Sequence, residues 1–397
     1  MSSKMKKSNR TKNNGYDSIL LITTILLLTF GTVAVLSASY PIGVKDFNNG
    51  YYFVKKHIFF LLIGGVGMFI TSHLKRSFVK KISKTLWFIS LLLIFLLWTS
   101  FADSSYGQAR WIKIPIIPFK IQPSDFIKVT SVLYASKVLS DNWHKLHEKE
   151  VFFKLFLIIA LSAGPILTRD FSTGFVIAAE LGAMYVVGGM YFYQFVMLGG
   201  IAGAALVGLI ATVPYRRKRI ASFAASIFGK AHEKNPDDLY QINQALYAIA
   251  MGGTGGVGLF HSRQKYTNLP FAYNDFIYAI ICEEFGAIGG ILLIILFGVF
   301  VWRGFYIAQK TNNNFDKFTA VGLSTFIGIQ AIFNIGVNIK LFPVTGITLP
   351  FISYGGTALI VSMAAAGLLL RISKDAWKWN IYYQVEELEA IFIQLLL

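Results

Sequence analysis

Asp275 closes a basic polar stretch and opens an apolar one. Before it run Gly258-Leu-Phe-His-Ser-Arg-Gln-Lys265, then Leu269-Pro270 and Asn274; after it run Phe-Ile-Tyr-Ala-Ile-Ile-Cys-Glu283-Glu284-Phe-Gly286. A carboxylate at the mouth of an apolar helix is partly desolvated, which raises its pKa toward that of a general base. The same position suits a helix N-cap, a common role of Asn and Asp at helix starts, and the residue types leave both readings open. Glu283 and Glu284 follow on the order of 12 Å deeper along such a helix. Carboxylates at that depth are costly and should face protein, either as a hydrogen-bonded pair or along a proton or ion path.

Other segments carry polar groups of the same kind. Gly107-Gln-Ala-Arg110-Trp111-Ile joins a fixed cation to an interfacial aromatic, which suits a phosphate head group or a sugar face as well as ordinary interface anchoring. Gln122-Pro-Ser-Asp125 precedes Lys128, and the two charges, three apart on one helix face, can neutralise each other. Thr168-Arg-Asp170-Phe-Ser-Thr-Gly174 has the form of a short capped turn. Phe342-Pro-Val-Thr-Gly346-Ile-Thr-Leu-Pro350-Phe-Ile-Ser353-Tyr-Gly-Gly356 predicts irregular backbone, tolerable only where protein or a polar cavity covers it.

The elements that must position these residues are membrane helices. Of 397 residues 55% are hydrophobic and 14% charged, and the mean hydropathy of +0.56 excludes an ordinary soluble domain. The apolar residues fall in blocks of roughly 17 to 25, the length that crosses a bilayer as helix. The expected spans are Ile19–Ala38, His57–His73, Ile82–Phe101, Asp125–Leu139, Val151–Leu167, Phe171–Gly189, Tyr191–Val213, Phe276–Trp302, Phe318–Leu341 and Thr348–Leu370. The first is longer than a signal-peptide core and reads as a retained helix. The chain is therefore expected to be an all-α integral membrane protein of about ten transmembrane helices. Its expected parts are an N-tail (1–18), a membrane domain (19–373) with a large outer loop (214–275), and a C-tail (374–397) with no assigned role.

Charge checks the topology. With the N-tail inside, Lys4, Lys6, Lys75, Arg76, Lys80, Arg303, Lys310, Arg371 and Lys374 all fall inside, in line with the positive-inside tendency. The outer loop dissents, with Arg216, Arg217, Lys218, Arg219, Lys230, Lys234, Arg263 and Lys265. Long loops escape the charge rule, and cations beside a leaflet suit a phosphate-bearing ligand. The formal net charge of +17 is scattered among such loops, which favours anionic lipid over nucleic acid. Within the loop, Ile242, Leu246, Ile249 and Ala250 predict a helix lying in the membrane interface. Cys282 is the sole cysteine, which excludes an intramolecular disulfide or thiolate zinc site.

In their order along these spans, the segments resemble the SEDS family, the FtsW, RodA and SpoVE proteins of bacterial cell-wall synthesis. The motifs are Ser262-Arg-Gln-Lys265, Asp275-Phe-Ile277 with Glu283-Glu-Phe-Gly286, and Pro350-Phe-Ile-Ser-Tyr-Gly-Gly356, and the likeness runs from about Ile19 to Ser373. The resemblance implies the SEDS fold and a peptidoglycan glycosyltransferase that polymerises lipid II outside the cytoplasmic membrane. It implies a class B penicillin-binding protein as partner, with divisome proteins. Asp275 matches the family's essential aspartate, and Arg110, Trp111, Lys128 and Asp170 map onto polar positions of its outer cavity. Arg216, Arg219, Gln264, Lys265 and Ser353 complete the expected substrate-binding set. A divalent cation, Mg or Mn, is the one cofactor admitted.

The family's usual Pro-Glu-Ala-His-Thr-Asp stands here as Pro270-Phe-Ala-Tyr-Asn-Asp275, without the second carboxylate and the imidazole, and the Glu of Gln-Pro-Ser-Glu is Asp125. The runs 262–265 and 345–350 look more like the division branch than the elongation branch, which implies the septum as location. A flippase for a lipid-linked precursor is the competing reading. It is disfavoured because the polar residues gather on the outer side and no inverted repeat is visible.

Overall fold

The computed structural model describes residues 15–103, 110–113, 119–212, 217, 221, 223–224, 237–267 and 269–396. It is a helical bundle in chain order: α1 (Ser18–Phe47), α2 (Tyr52–His73), α3 (Arg76–Phe95), β1 (Ala102–Asp103), β2 (Trp111–Ile112), α4 (Pro123–Asp141), α5 (Lys149–Arg169), α6 (Phe171–Val187), α7 (Phe192–Thr212), α8 (Asp237–Gly252), α9 (Gln264–Thr267), α10 (Ile277–Lys310), α11 (Asn314–Asn338) and α12 (Gly356–Leu396). Among the described helices, seven are long and apolar enough to cross a membrane: α1, α2, the stretch Arg76–Trp98, α5, α10, α11 and the Gly356–Ala376 part of α12. Helices α4, α6 and α7 occupy three further stretches where spans were expected.

The outer faces explain why lipid is the natural solvent. Leu62, Val66 and Phe69 on α2 and Ile288, Ile291 and Ile295 on α10 are all more than half exposed. Such contiguous apolar surface would drive aggregation in water and costs nothing against acyl chains. Inside, Phe297 and Phe300 of α10, Phe318 and Phe326 of α11 and Leu368 and Leu369 of α12 belong to one continuous core.

Helix ends follow their capping residues. Asp17 starts α1 by accepting from Leu20 N at 2.9 Å, and Asn313 starts α11 by accepting from Phe315 N and Asp316 N at 3.1 and 3.3 Å. Helix α11 fixes the long dimension of the bundle. Asp316 near its start meets Arg76 and Arg371, while Asn334 and Asn338 near its end reach Asp275, about 30 Å away at 1.5 Å per residue.

Three expectations are corrected. The last span begins at Gly356, since residues 343–349 are irregular, 350–352 form a turn, and Phe351 holds a φ of 63°; Thr348 to Gly355 are loop. Helix α8 exists, but its buried face is Leu239, Ile242, Ala245 and Ala248, packed on α10; of the expected apolar face only Ile242 is buried, Leu246 and Ile249 are half-buried and Ala250 is exposed. Helix α10 is broken at Gly286 (φ 70°, ψ −170°), a conformation suited to glycine. There Ala287 N and Ile288 N leave the helical ladder and donate to Gly253 O and Thr254 O at 2.9 and 3.3 Å.

Candidate functional site

The approach to α10 is clamped from both sides. Asn334 and Asn338, one turn apart on α11, both donate to the carbonyl of Asp275 at 2.9 and 3.0 Å, and Asn338 Oδ1 accepts the N–H of Ala279 at 3.0 Å. From the other side, Ser353 donates to Asn274 O at 2.6 Å while accepting from Leu349 N at 2.8 Å, and Tyr354 N donates to Tyr273 O at 3.0 Å. These bonds hold the 273–275 backbone between α11 and the irregular 346–355 arch. The carboxylate of Asp275 takes no part in them. The N-cap of α10 is Phe276, and no side chain caps it, so the capping alternative for Asp275 is set aside. Its side chain is left for other chemistry.

Two charged groups converge on that carboxylate. Gly346 sits in the arch with φ 68°, and a Cβ there would lie 2.6 Å from Arg110 Nη1 and 3.7 Å from Asp275 Oδ2. Only a residue without a side chain lets the guanidinium and the carboxylate approach one point so closely. Arg110 Nε is also 3.6 Å from Asp170 Oδ2. Asp170 caps α6, accepting from Thr173 N at 3.2 Å and from the Thr173 hydroxyl at 2.9 Å. Arg110 immediately precedes β2, which pairs antiparallel with β1 so that Trp111 lies opposite Asp103. A short hairpin thus delivers the cation over the mouth.

Burial pushes the Asp275 carboxyl up to about 6. The Arg110 guanidinium pulls it back and the negative charge of Asp170 adds to the rise. Such a group is largely ionised at neutral pH while still able to take a proton, the property of a general base.

Lys128 lies in a neighbouring buried network. Its ammonium donates to Asp125 Oδ1 and Gln330 Oε1, both at 3.0 Å; Thr357 donates to Asp125 Oδ2 at 2.7 Å, and Gln330 passes on to Thr348 O at 2.9 Å. The lysine therefore supports the arch, with its charge answered by protein. Close by, Glu180 of α6 is fully buried; Ser131 donates to its Oε1 at 3.5 Å, and its Oε2 has no hydrogen bond.

Gln264 and Lys265 belong to a third cluster. Ser262 Oγ donates to Glu283 Oε2 at 2.6 Å, and Arg263 N and Gln264 N donate to Glu283 Oε1 at 2.8 and 3.4 Å. Lys265 Nζ lies 2.6 Å from Glu284 Oε1 and 2.8 Å from Ser37 Oγ, with both charged side chains 1% exposed. The motif read as phosphate-facing turns inward, where Lys265 neutralises Glu284 while the Ser262 hydroxyl and the Arg263 and Gln264 N–H groups satisfy Glu283. Arg263 is exposed, as is Arg217; Arg216 and Arg219 lie outside the described residues.

Sequence reasoning missed an aromatic wall. Phe53 of α2 packs on Tyr273 and Tyr354 with ring centroids 4.6 and 5.3 Å apart, and His57 lies 6.5 Å from Tyr354 with its Nε2 buried and unbonded. A histidine inside an apolar run was the available signal. For a divalent cation the donors fit poorly. No group of three or more His, Cys, Asp or Glu side chains forms among the described residues, and Asp170 is already shared between Thr173 and Arg110. Among the described residues, Arg110 brings positive charge to the mouth.

The family model for the FtsW, RodA and SpoVE proteins, described as a cell cycle protein, matches residues 17–378. The stage V sporulation protein E of Bacillus subtilis is 38% identical over 92% of this chain and 98% of its own. A probable peptidoglycan glycosyltransferase FtsW of Trichlorobacter lovleyi is 33% identical over 90% of this chain and 93% of its own. Among solved structures, the rod shape determining protein RodA of Thermus thermophilus covers 91% of this chain and 98% of its own at a TM-score of 0.66 and 22% identity. A chain of a peptidoglycan synthase complex covers the same shares at a TM-score of 0.74 and 23% identity.

Proposed function

The chain belongs to the FtsW/RodA/SpoVE family, and from that premise we propose that it is a membrane-embedded peptidoglycan glycosyltransferase that joins lipid II units into glycan strands. The observation that carries this reading is the convergence of the Asp275 carboxylate and the Arg110 guanidinium over Gly346.

In the reaction, a hydroxyl of one lipid-linked sugar attacks the anomeric carbon of another. The new C–O bond forms as the bond to undecaprenyl pyrophosphate breaks, and the hydroxyl proton passes to Asp275. A β-linked product from an α-linked donor means inversion, so one base opposite the leaving group suffices. The leaving pyrophosphate carries its own negative charge and needs a fixed cation, which Arg110 supplies with a geometry suited to phosphate oxygens. Asp170 orients that guanidinium. The aromatic faces of Phe53, Tyr273 and Tyr354 offer a surface against which a sugar can lie.

A class B penicillin-binding protein as crosslinking partner, divisome proteins as assembly partners, and the outer face of the bacterial cytoplasmic membrane at the septum complete the proposal. Against the flippase reading, Glu283 and Glu284, the carboxylates that a proton or ion path would use, are tied to Ser262, Lys265 and Ser37. The test is polymerisation of lipid II by the purified chain with and without a class B partner. Glycan strands that depend on this chain support the proposal; lipid II that crosses vesicle membranes without being polymerised refutes it.

A further inference from the structure

At the end of the bundle opposite Asp275, the α2–α3 turn, the start of α11 and α12 near Arg371 line an open cavity of about 680 Å³. His73, Lys75, Arg76, Lys80, Arg371 and Lys374 line it, against the single acid Asp375. Arg76 and Arg371 are partly answered, since both reach Asp316, at 2.6 and 2.5 Å, and Arg76 reaches Asp375 at 3.2 Å.

Two features remain without an answer. Arg371 is 4% exposed, yet its Nε and Nη1 make no hydrogen bond, and Asp375 Oδ2 stands off at 3.9 Å from Nη1. A buried guanidinium with idle donors is costly until an acceptor arrives. Independently, α3 begins at the cavity with Lys75 as an N-cap that makes no side-chain bond and with no acid in its first turn. Arg76 and Lys80 there are paired with Asp316 and Asp141, each at 2.6 Å, but Lys75 puts a cation at the positive end of a helix dipole, the reverse of the stabilising arrangement. An anion seated between the α3 N-terminus and Arg371 satisfies both.

We infer that this cavity binds a phosphate group, supplied by the head group of an anionic phospholipid of the adjacent leaflet. Phosphate matches the planar donors of arginine and the helix N-terminus together. The lipid source follows from the rim, where Phe69 and Phe78, 66% and 49% exposed, flank the α2–α3 turn and offer apolar surface to acyl chains. By charge this is the inner end of the bundle, the leaflet in which anionic lipid attracts basic segments.

The test uses the full chain, reconstituted with phosphatidylglycerol and phosphatidylcholine in equal amounts and read by native mass spectrometry of retained lipid. Because Arg371→Gln also removes the buried pair with Asp316, the informative variant is Lys75→Gln with Lys374→Gln, with folding checked by its melting temperature. Wild type is expected to retain phosphatidylglycerol over phosphatidylcholine by about tenfold, with the double variant close to parity. Parity in wild type without thermal stabilisation by inorganic phosphate, or an unchanged preference in the folded double variant, overturns the site. Thermal stabilisation by inorganic phosphate at constant ionic strength, without any preference between the lipids, overturns the lipid source.

Discussion

The carbonyl oxygen of Asp275 accepts a 3.0 Å hydrogen bond from Nδ2 of Asn338, whose Oδ1 accepts the N–H of Ala279. One side chain of α11 thereby fixes the residue ahead of α10 and the first turn of α10 itself. A catalytic carboxylate has to be held to within a fraction of an ångström, and that precision comes from neighbours of this kind.

Replacing Asn338 by Leu therefore removes a positioning group. Leaving the Asp275 carbonyl and the Ala279 N–H short of a partner should cost about 1–3 kcal/mol of stability. Lipid II polymerisation should slow mainly in kcat, with KM little changed, because the base is displaced while the substrate surface stays. Steady-state kinetics and a melting curve check both halves. A variant that melts lower with wild-type kcat would mean a structural role only.

The pH profile follows from the raised Asp275 pKa. With a folded value of about 6, the base is protonated and idle at pH 5 and ionised at pH 7. Activity should rise through an acid limb near pH 6 and level off above it. The stability sign is the opposite. Between the ordinary value of 3.8 and about 6, the folded chain binds more protons than the unfolded one, so the contribution of this group to stability falls as pH rises through that window. Kinetics at fixed ionic strength test the first statement, since an acid limb near pH 4 would contradict it.

Lys265 and Glu284 form a buried pair in which each needs the other. Lys265→Met alone should destabilise by about 3–5 kcal/mol, because an uncompensated carboxylate remains, and adding Glu284→Gln should recover part of that loss. Melting temperatures of the two single variants and the double variant measure it. A Lys265→Met protein of wild-type stability with a raised KM for lipid II would instead make this lysine a substrate contact.

Gly346→Ala tests the convergence at the mouth. A Cβ at a φ of 68° and 2.6 Å from Arg110 Nη1 strains the arch by on the order of 1–2 kcal/mol and drives the guanidinium aside. The expected result is a folded protein with strongly reduced polymerisation. Full activity would show that Arg110 need not sit there.

What is legible in the amino-acid sequence divides from what is not along a physical line. Helices such as α1, α2 and α10 are legible because bilayer burial imposes long apolar runs, and the arch at 342–356 is legible from its prolines and glycines. Asp275 is visible because its polar approach abuts an apolar run. The meeting of Arg110, Asp170 and Asp275 over Gly346 is not, because four distant segments contribute one group each. The pairing of Lys128 with Asp125 is legible from their spacing of three, but for the same reason Gln330 and the partners of Lys265 could be named only after folding; a lysine in a polar motif has the same appearance whether it faces phosphate or a buried glutamate. His57, Glu180 and Asn338 were passed over because a polar residue in an apolar helix gives no sign of the face it occupies.

The central claim is that the Asp275 carboxylate is the base, and Asp275→Asn in the purified chain, assayed with a class B penicillin-binding protein, is the direct test. Asn keeps the volume and the backbone clamp but cannot accept the proton. The account predicts no glycan product from lipid II at neutral pH, together with an unchanged or higher melting temperature, since a desolvated charge has been removed. A folded Asp275→Asn protein that polymerises lipid II at the wild-type rate would contradict it.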